Sequence, residues 1–135
     1  MVCMDSTLSI IKSISDKNRL RILSGLFVHN ELCACQITEF LGVTGATASR
    51  HLKLMVNAGV LKNRKQGRWI YFRINTEDSS LTDLLDWVKD KTEKSEQVKQ
   101  DLKALQQILQ VPCDALSWKQ RERDACSTTK RKDNA

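Results

Sequence analysis

The sequence predicts a mainly α-helical domain that carries one small β-hairpin. Apolar residues recur at helical spacing along most of the chain, and one segment rich in β-branched and aromatic residues interrupts them. The 135 residues suffice for one modest core. No apolar run reaches the roughly 20 residues that cross a bilayer, and the N-terminus lacks a basic start followed by an apolar run. We therefore expect a cytoplasmic protein without a membrane segment.

Four helices are predicted in the first half of the chain. The first has an apolar face of Leu8, Ile11 and Ile14, and Asp16 has the chemistry of an N-cap for the second, over residues 17–28. The third is short and stops at Gly42, while Thr44 caps the fourth. The buried positions expected in the third and fourth helices are Ile37, Phe40, Leu41, Ala48, Leu52 and Met55.

A β-hairpin follows these helices. Residues 60–65 and 68–74 have strand character, and Gln66 and Gly67 separate them as a turn. The positions expected to face the core are Ile70, Phe72 and Ile74. Another helix begins near residue 80, and a helical stripe resumes over residues 98–109 before Pro112 closes it. Residues 1–116 are therefore predicted to form one domain. Residues 117–135, polar and basic without a period, are predicted to be a disordered tail.

The positive charge of the chain is concentrated in one stretch. The net charge is +6, yet residues 40–76 contain seven bases and no acid. The remainder, with fifteen bases against sixteen acids, is nearly neutral. A basic surface of this kind is typical of proteins that bind a polyanion such as nucleic acid.

The third and fourth helices, joined by a short turn containing glycine, have the form of a helix-turn-helix. In that motif the second helix enters the DNA major groove, and a basic hairpin behind it makes a winged helix. The predicted element order is α-α-α-α-β-β-α. His51 is as easily a packed or capping histidine as a DNA contact. The candidate DNA-binding residues are Thr47, Ser49, Arg50, His51 and Lys53 on the recognition helix, with Lys65 and Arg68 at the hairpin tip.

Cys33 and Cys35 are the candidate metal ligands. Residues two apart on an α-helix point about 200° apart, so both cannot ligate one ion while the helix is regular there. Either Cys33 lies on a non-helical entry, or binding distorts the first turn. A helix N-terminus favours the thiolate form, which binds soft ions. The alternative interpretation is that both are small buried apolar residues. Neither histidine has a paired nucleophile and no glycine-rich phosphate loop is present, so the sequence does not indicate an enzyme.

Over roughly residues 7–90 the chain resembles the ArsR/SmtB family of winged-helix repressors. The segments that carry the resemblance are "ELCAC", "SRHLKLM" followed by "AGVL", and "GRWIYFRI", in that order. The resemblance implies a homodimer, built from its first and last helices, that binds a double-stranded DNA operator and blocks transcription. It also implies that a metal or metalloid ion bound at Cys33 and Cys35 releases the DNA.

The "ELCAC" segment resembles the branch of that family that responds to As(III) and Sb(III). That branch commonly carries a third cysteine three residues later, where this chain has Thr38. Cys3, Cys113 or an external thiol could complete the site instead. A branch responding to Cd(II) and Pb(II) also uses this cysteine pair together with N-terminal cysteines, so Cys3 makes it the alternative. Cys126 is expected to be an incidental free thiol.

We therefore predict a metalloid-sensing transcriptional repressor that leaves its operator when Cys33 and Cys35 bind As(III) or Sb(III). Two other hypotheses remain open at this stage. One is a redox sensor in which the same two thiols form a disulfide, although a disulfide across one residue is strained. The other is a protein-interaction module that binds a partner chain through its long C-terminal helix.

Overall fold

The computed structural model describes the backbone of residues 3–133 and the side chains of residues 3–125. Its ten elements are α1 (Met4–Ile14), α2 (Lys17–Val28), β1 (Leu32–Cys33), α3 (Ala34–Leu41), α4 (Gly45–Asn57), β2 (Leu61–Gln66), β3 (Trp69–Ile74), α5 (Ser79–Thr92), α6 (Glu96–Ile108) and α7 (Cys113–Asp133). The predicted fold class, mainly helical with a β-hairpin, is confirmed. Strand β1 and helix α7 were not predicted, and the predicted element order has one helix after the hairpin where the structure has three.

The predicted helix boundaries follow from local hydrogen bonds. The backbone N–H of Arg19 donates to the Asp16 side chain at 3.1 Å, and that of Thr47 donates to the Thr44 hydroxyl at 3.2 Å. Both contacts satisfy N–H groups that have no partner within the helix. Gly42 ends α3 with a φ of 71°, a left-handed conformation that glycine adopts without strain. The turn between α3 and α4 is thereby fixed by sequence-local chemistry.

One apolar core lies between α2, α3, α4, α6 and the sheet. The six positions predicted to be buried in α3 and α4 are all buried. Leu105 of α6 is completely buried beside them. A bidentate ion pair connects α2 to α6, because Nε and Nη2 of Arg21 each donate to the Asp101 carboxylate at 2.9 Å. Among the described residues, no helix combines the length and apolar character that crossing a membrane requires.

The three strands form an antiparallel sheet in the order β1-β3-β2. The turn of the hairpin is Gly67–Arg68, one residue later than predicted, because Gln66 pairs with Trp69 and only Gly67 has the positive φ that this turn needs. Phe72 is buried as expected, whereas Ile70 is exposed. Exposure rises along β2 toward the tip, so the outer half of the hairpin lies beyond the cover of the helices.

The prediction that residues 117–135 are disordered differs from the structure, in which α7 includes residues 117–133. This segment has little apolar periodicity of its own, so its helical structure depends on tertiary contacts. Leu116 is 97% buried, and the side-chain amide of Gln120 donates to the backbone carbonyl of Cys35 at 2.8 Å. Residues 134 and 135 lie outside the described residues.

Candidate metal centre and nucleic-acid interface

Cys33 and Cys35 lie side by side because Cys33 is not helical. Strand β1 pairs Cys33 with Tyr71, and the residue has the extended conformation of an N-cap, with φ −74° and ψ 150°. The Gln36 side chain accepts a hydrogen bond from the Cys33 backbone N–H at 2.8 Å and secures this entry. The two Sγ atoms are consequently 3.3 Å apart. Of the two alternatives, the structure has the non-helical entry, and the regular helix of α3 needs no distortion to bring the thiols together.

A third thiol completes this group. The Sγ atoms of Cys33, Cys35 and Cys113 all lie within 4.8 Å of one another, and we call these three residues the thiol site. Cys113 is the first residue of α7, directly after Pro112. Cys3, in contrast, is exposed at the start of α1 and is not part of the group. The side chain of Cys126 lies outside the described residues.

The surroundings of the thiol site are apolar. Cys33 and Cys35 are both buried, and Leu116 closes the site from α7. The partly buried side chains around it are Trp69, Tyr71 and Ile108. Soft thiolates in a pocket of this kind suit polarisable ions better than hard ones.

The thiols of the site differ in acidity. The Cys35 thiol donates a hydrogen bond to the Cys33 sulfur, which lowers the pKa of Cys33 to about 6. The same hydrogen bond, together with burial, raises the pKa of Cys35. Burial also raises the pKa of Cys113. The hydrogen bond from Cys35 therefore favours the thiolate form of Cys33, which is the form that binds soft ions.

Some of the predicted DNA-binding side chains are open to solvent, whereas His51 and Arg68 contact other parts of the chain. Ser49, Arg50 and Lys53 of α4 and Lys65 of β2 are exposed. Thr47 is half-buried and accepts a hydrogen bond from the Thr44 hydroxyl at 3.0 Å. These side chains lie on the recognition helix and the hairpin, and together with Arg68 we call them the predicted DNA surface.

His51 belongs to the inner side of α4. Its Nδ1 atom lies 4.0 Å from a carboxylate oxygen of Asp16, the N-cap of α2. Burial lowers its pKa, against the opposing effect of Asp16. Of the two interpretations of His51, these contacts favour the packed histidine.

Arg68, at the hairpin tip, is occupied within the chain. Its guanidinium pairs with the carboxylate of Asp114 in α7 and lies 4.8 Å from the centre of the Trp69 ring. At the other end of the same surface, the backbone N–H of Gly45 donates to the Asp124 carboxylate at 3.1 Å. Helix α7 thus contacts both ends of the predicted DNA surface.

Sequence reasoning left Cys113 as one of three possible third ligands and missed the docking of α7 altogether. One weak signal was present in the sequence. Cys113, Leu116 and Gln120 are spaced i, i+3 and i+7, so they share a helix face. Only one of them is a large apolar residue, too few to distinguish this face from a chance spacing.

Part of the chain is similar to a family of known proteins. Residues 16–63 match the family model described as bacterial regulatory protein, arsR family. A cadmium resistance transcriptional regulatory protein CadC homolog of Staphylococcus aureus is 37% identical over 68 residues, which are 50% of this chain and 56% of the relative. The arsenic resistance transcriptional regulator ArsR1 of Pseudomonas putida is 32% identical over 76 residues, 56% of this chain and 59% of the relative. The chain therefore matches less than two thirds of the length of these relatives.

A solved structure has the same fold. The homodimeric winged helix-turn-helix DNA-binding domain Mb0332 of Mycobacterium bovis, described as a possible ArsR-family transcriptional regulator, aligns with a TM-score of 0.57 at 25% identity. The alignment covers 69% of this chain and 83% of the other. With the helix-turn-helix, the hairpin and the cysteine pair in their places, the chain is similar over residues 16–63 to the arsR family of bacterial regulatory proteins.

Proposed function

We propose that this protein is a metalloid-responsive transcriptional repressor that binds operator DNA as a homodimer and releases it when the thiol site binds As(III) or Sb(III). The observation that carries the proposal is the convergence of three cysteine sulfurs within 4.8 Å among apolar side chains. As(III) and Sb(III) form three bonds and retain a lone pair, so three thiolates complete their coordination. The proposed function is that of a regulator rather than an enzyme, acting on operator DNA in the cytoplasm.

The proposed DNA contacts are those of a winged helix. Arg50 and Lys53 reach the base edges, and Thr47 and Ser49, near the N-terminus of α4, contact phosphates. Lys65 and Arg68 contact the backbone from the hairpin. The exposure of most of these side chains and the absence of acids between Glu39 and Glu77 support this assignment. His51 orients the recognition helix against α2 instead of reading DNA.

Dimerisation is proposed through α1 and the helices that follow the hairpin. Helix α1 leaves Met4, Leu8 and Ile11 exposed along one face, with exposed fractions of 84%, 46% and 49%. Trp87 of α5 is also exposed. A second copy that covered these side chains would remove a large apolar area from water. The homodimeric state of the Mycobacterium bovis domain supports a homodimer here as well.

Cd(II) or Pb(II) is the second candidate inducer. The cadmium resistance relative of Staphylococcus aureus favours it, being as similar in sequence as the arsenic regulators. Tetrahedral Cd(II) needs a fourth ligand. Among residues 3–125, the group of candidate ligands around Cys33 has three members. The ligand number therefore favours a three-coordinate metalloid.

The test measures DNA release. A fluorescein-labelled duplex is selected by the protein from a random-sequence pool, and its anisotropy is followed while arsenite, antimonite or Cd(II) is added. We expect arsenite and antimonite to release the wild-type protein and Cd(II) to act only at higher concentration. The variant Cys33→Ser with Cys35→Ser should stay bound at concentrations at least tenfold higher, because it lacks two of the three ligands.

The control variant is Cys3→Ser, which removes an exposed thiol outside the site and should respond as the wild type does. If the variant lacking Cys33 and Cys35 leaves DNA at the wild-type arsenite concentration, the proposal is wrong. If peroxide alone releases the wild-type protein and arsenite does not, the redox hypothesis replaces it.

A further inference from the structure

Helix α7 connects the thiol site to the DNA-facing surface. Cys113 contributes its sulfur to the site, and the next residue, Asp114, pairs with Arg68 at the hairpin tip. Ten residues further along, or about 15 Å of helix, Asp124 accepts a hydrogen bond from the backbone N–H of Gly45. Gly45 is the first residue of the recognition helix. The two carboxylates therefore contact the two ends of the surface on which a DNA backbone would lie.

Both contacts are ones that a phosphate would make. A helix N-terminus, with its N–H groups directed outward and its positive dipole end, favours an anion, and the Asp124 carboxylate occupies that place. Arginine at a hairpin tip pairs equally well with phosphate or carboxylate, and the Asp114 carboxylate occupies it. Glu122 lies between these residues in sequence, but its contacts in the described part of the chain include neither Arg68 nor the N-terminus of α4. Among the described side chains of α7, Asp114 and Asp124 are therefore the acids that contact the predicted DNA surface.

The centre of α7 is held to α3 beside the thiol site. Leu116 is buried against Cys33 and Cys35, and the Gln120 amide donates both to the Cys35 carbonyl and, at 3.0 Å, to the Glu39 carboxylate. Lys119 and Arg123 add ion pairs to Glu39 at 3.5 and 3.7 Å. Both basic side chains are exposed, at 70% and 41%, whereas the Glu39 carboxylate that they share is 13% exposed. Without an ion, the docking of α7 rests on one buried leucine, one buried amide and ion pairs whose α7 side chains are exposed.

We propose that α7 is a built-in competitor of DNA: its carboxylates Asp114 and Asp124 take the places of backbone phosphates on Arg68 and on the N-terminus of α4, and an ion bound through Cys113 holds it there. This inference rests on the proposed function and explains how the bound ion opposes DNA. Bonding Cys113 to the same ion as Cys33 and Cys35 ties the first residue of α7 to α3, so undocking then requires loss of a sulfur ligand. By linkage, bound DNA must weaken ion binding by the same factor.

The first experiment removes the competing charges. In the variant Asp114→Asn with Asp124→Asn, the affinity of the ion-free protein for the selected duplex should rise about tenfold, because two anionic contacts no longer compete. Arsenite should bind this variant as it binds the wild type but release less DNA. The matched control is Asp90→Asn with Glu122→Gln, which removes the same charge from exposed positions on α5 and α7. Its DNA affinity should rise less than threefold.

The second experiment follows α7 directly by hydrogen exchange, without DNA. Arsenite should slow exchange of the backbone amides of residues 114–125 in the wild type by tenfold or more. It should leave them unchanged in Cys113→Ser, which keeps Leu116 and Gln120. Equal slowing in both proteins would overturn the proposal that an ion bound through Cys113 holds α7 in place.

The outcomes separate the two proposals. A wild-type protein that responds to arsenite, together with a double Asp→Asn variant that leaves DNA at the same arsenite concentration, overturns the competitor role of α7 alone. A wild-type protein that binds the duplex but ignores arsenite contradicts the proposed function. Tighter DNA binding by the Asp→Asn variant would in that case still support α7 as a competitor.

Discussion

Helices α6 and α7 both pack against α3, but they are attached by different means. Helix α6 inserts Leu105, which is completely buried, and joins α2 through the ion pair of Arg21 and Asp101, whose side chains are 14% and 5% exposed. Helix α7 inserts Leu116 and Gln120, and the α7 side chains of its ion pairs are exposed. In the pair of Arg68 and Asp114 both side chains are about 70% exposed. Helix α6 is part of the core, whereas α7 lies on its surface.

The difference indicates where a regulatory motion can occur at low cost. Undocking α6 would expose a core leucine and leave Arg21 buried without its carboxylate, a costly pair of events. Undocking α7 exposes one leucine and one glutamine, and it exchanges ion pairs whose α7 side chains are already exposed for contacts with water. Of the two helices, α7 also contributes to the thiol site. The ligand group is thus shared between a fixed segment, β1–α3, and a weakly attached one.

The largest effect is expected at the buried ion pair. Asp101→Ala leaves the Arg21 guanidinium buried without its partner and should lower the free energy of unfolding by about 3 kcal/mol or more. Urea denaturation followed by circular dichroism measures this. Glu96→Ala, on the same helix but with an 82% exposed side chain, should change it by less than about 0.5 kcal/mol. Similar losses in both variants would show that α6 is not anchored by this pair.

A smaller global effect is expected from Leu116→Ala. Removing a buried leucine side chain from a fixed core costs about 2–5 kcal/mol. Because α7 can undock, the loss of global stability should instead stay near 1 kcal/mol, while amide exchange within α7 quickens. The two measurements are urea denaturation and hydrogen exchange on one protein sample. A loss as large as that of Asp101→Ala would place α7 in the core and contradict the comparison.

The smallest effect is expected where the recognition helix α4 packs against α2 through His51. His51 packs near Asp16, and burial lowers its pKa below the usual 6.5. A histidine whose pKa is lowered by folding contributes stability that is present above pH 6.5 and is lost as the pH falls through the folded-state pKa. An NMR titration of the imidazole should therefore have its midpoint below 6.5. A midpoint above 6.5 would mean that the effect of Asp16 on the His51 pKa outweighs that of burial. The packing of α4 against α2 would then become more stable, not less, as the pH falls.

The parts of the fold that were predicted correctly depend on near neighbours in the chain. Asp16 and Thr44 cap their helices through hydrogen bonds to residues three positions away, and Gly42 satisfies a local conformational need. The apolar stripes of α3 and α4 likewise follow from helical geometry. The turn of the hairpin was misplaced by one residue because its register depends on pairing along both strands, which the sequence constrains only weakly.

The same distinction holds for the candidate site. Two cysteines one residue apart beside a helix-turn-helix were enough to single out Cys33 and Cys35. Their relative geometry was not predictable, because the extended conformation of Cys33 depends on pairing with Tyr71, far along the chain. Ile70 was expected in the core from alternation alone, but the hairpin tip extends beyond the helices that would cover it.

The sequence by itself determined the helix-turn-helix, the basic wing and the presence of a soft-ligand pair, since each depends on residue types at short spacing. Only the tertiary structure decided that Cys113 joins that pair and that residues 113–133 form a helix across the thiol site. The physical reason is that this helix has too few apolar residues to be recognised alone. It gains its order from contacts with residues about 80 positions earlier, such as that of Gln120 with Cys35.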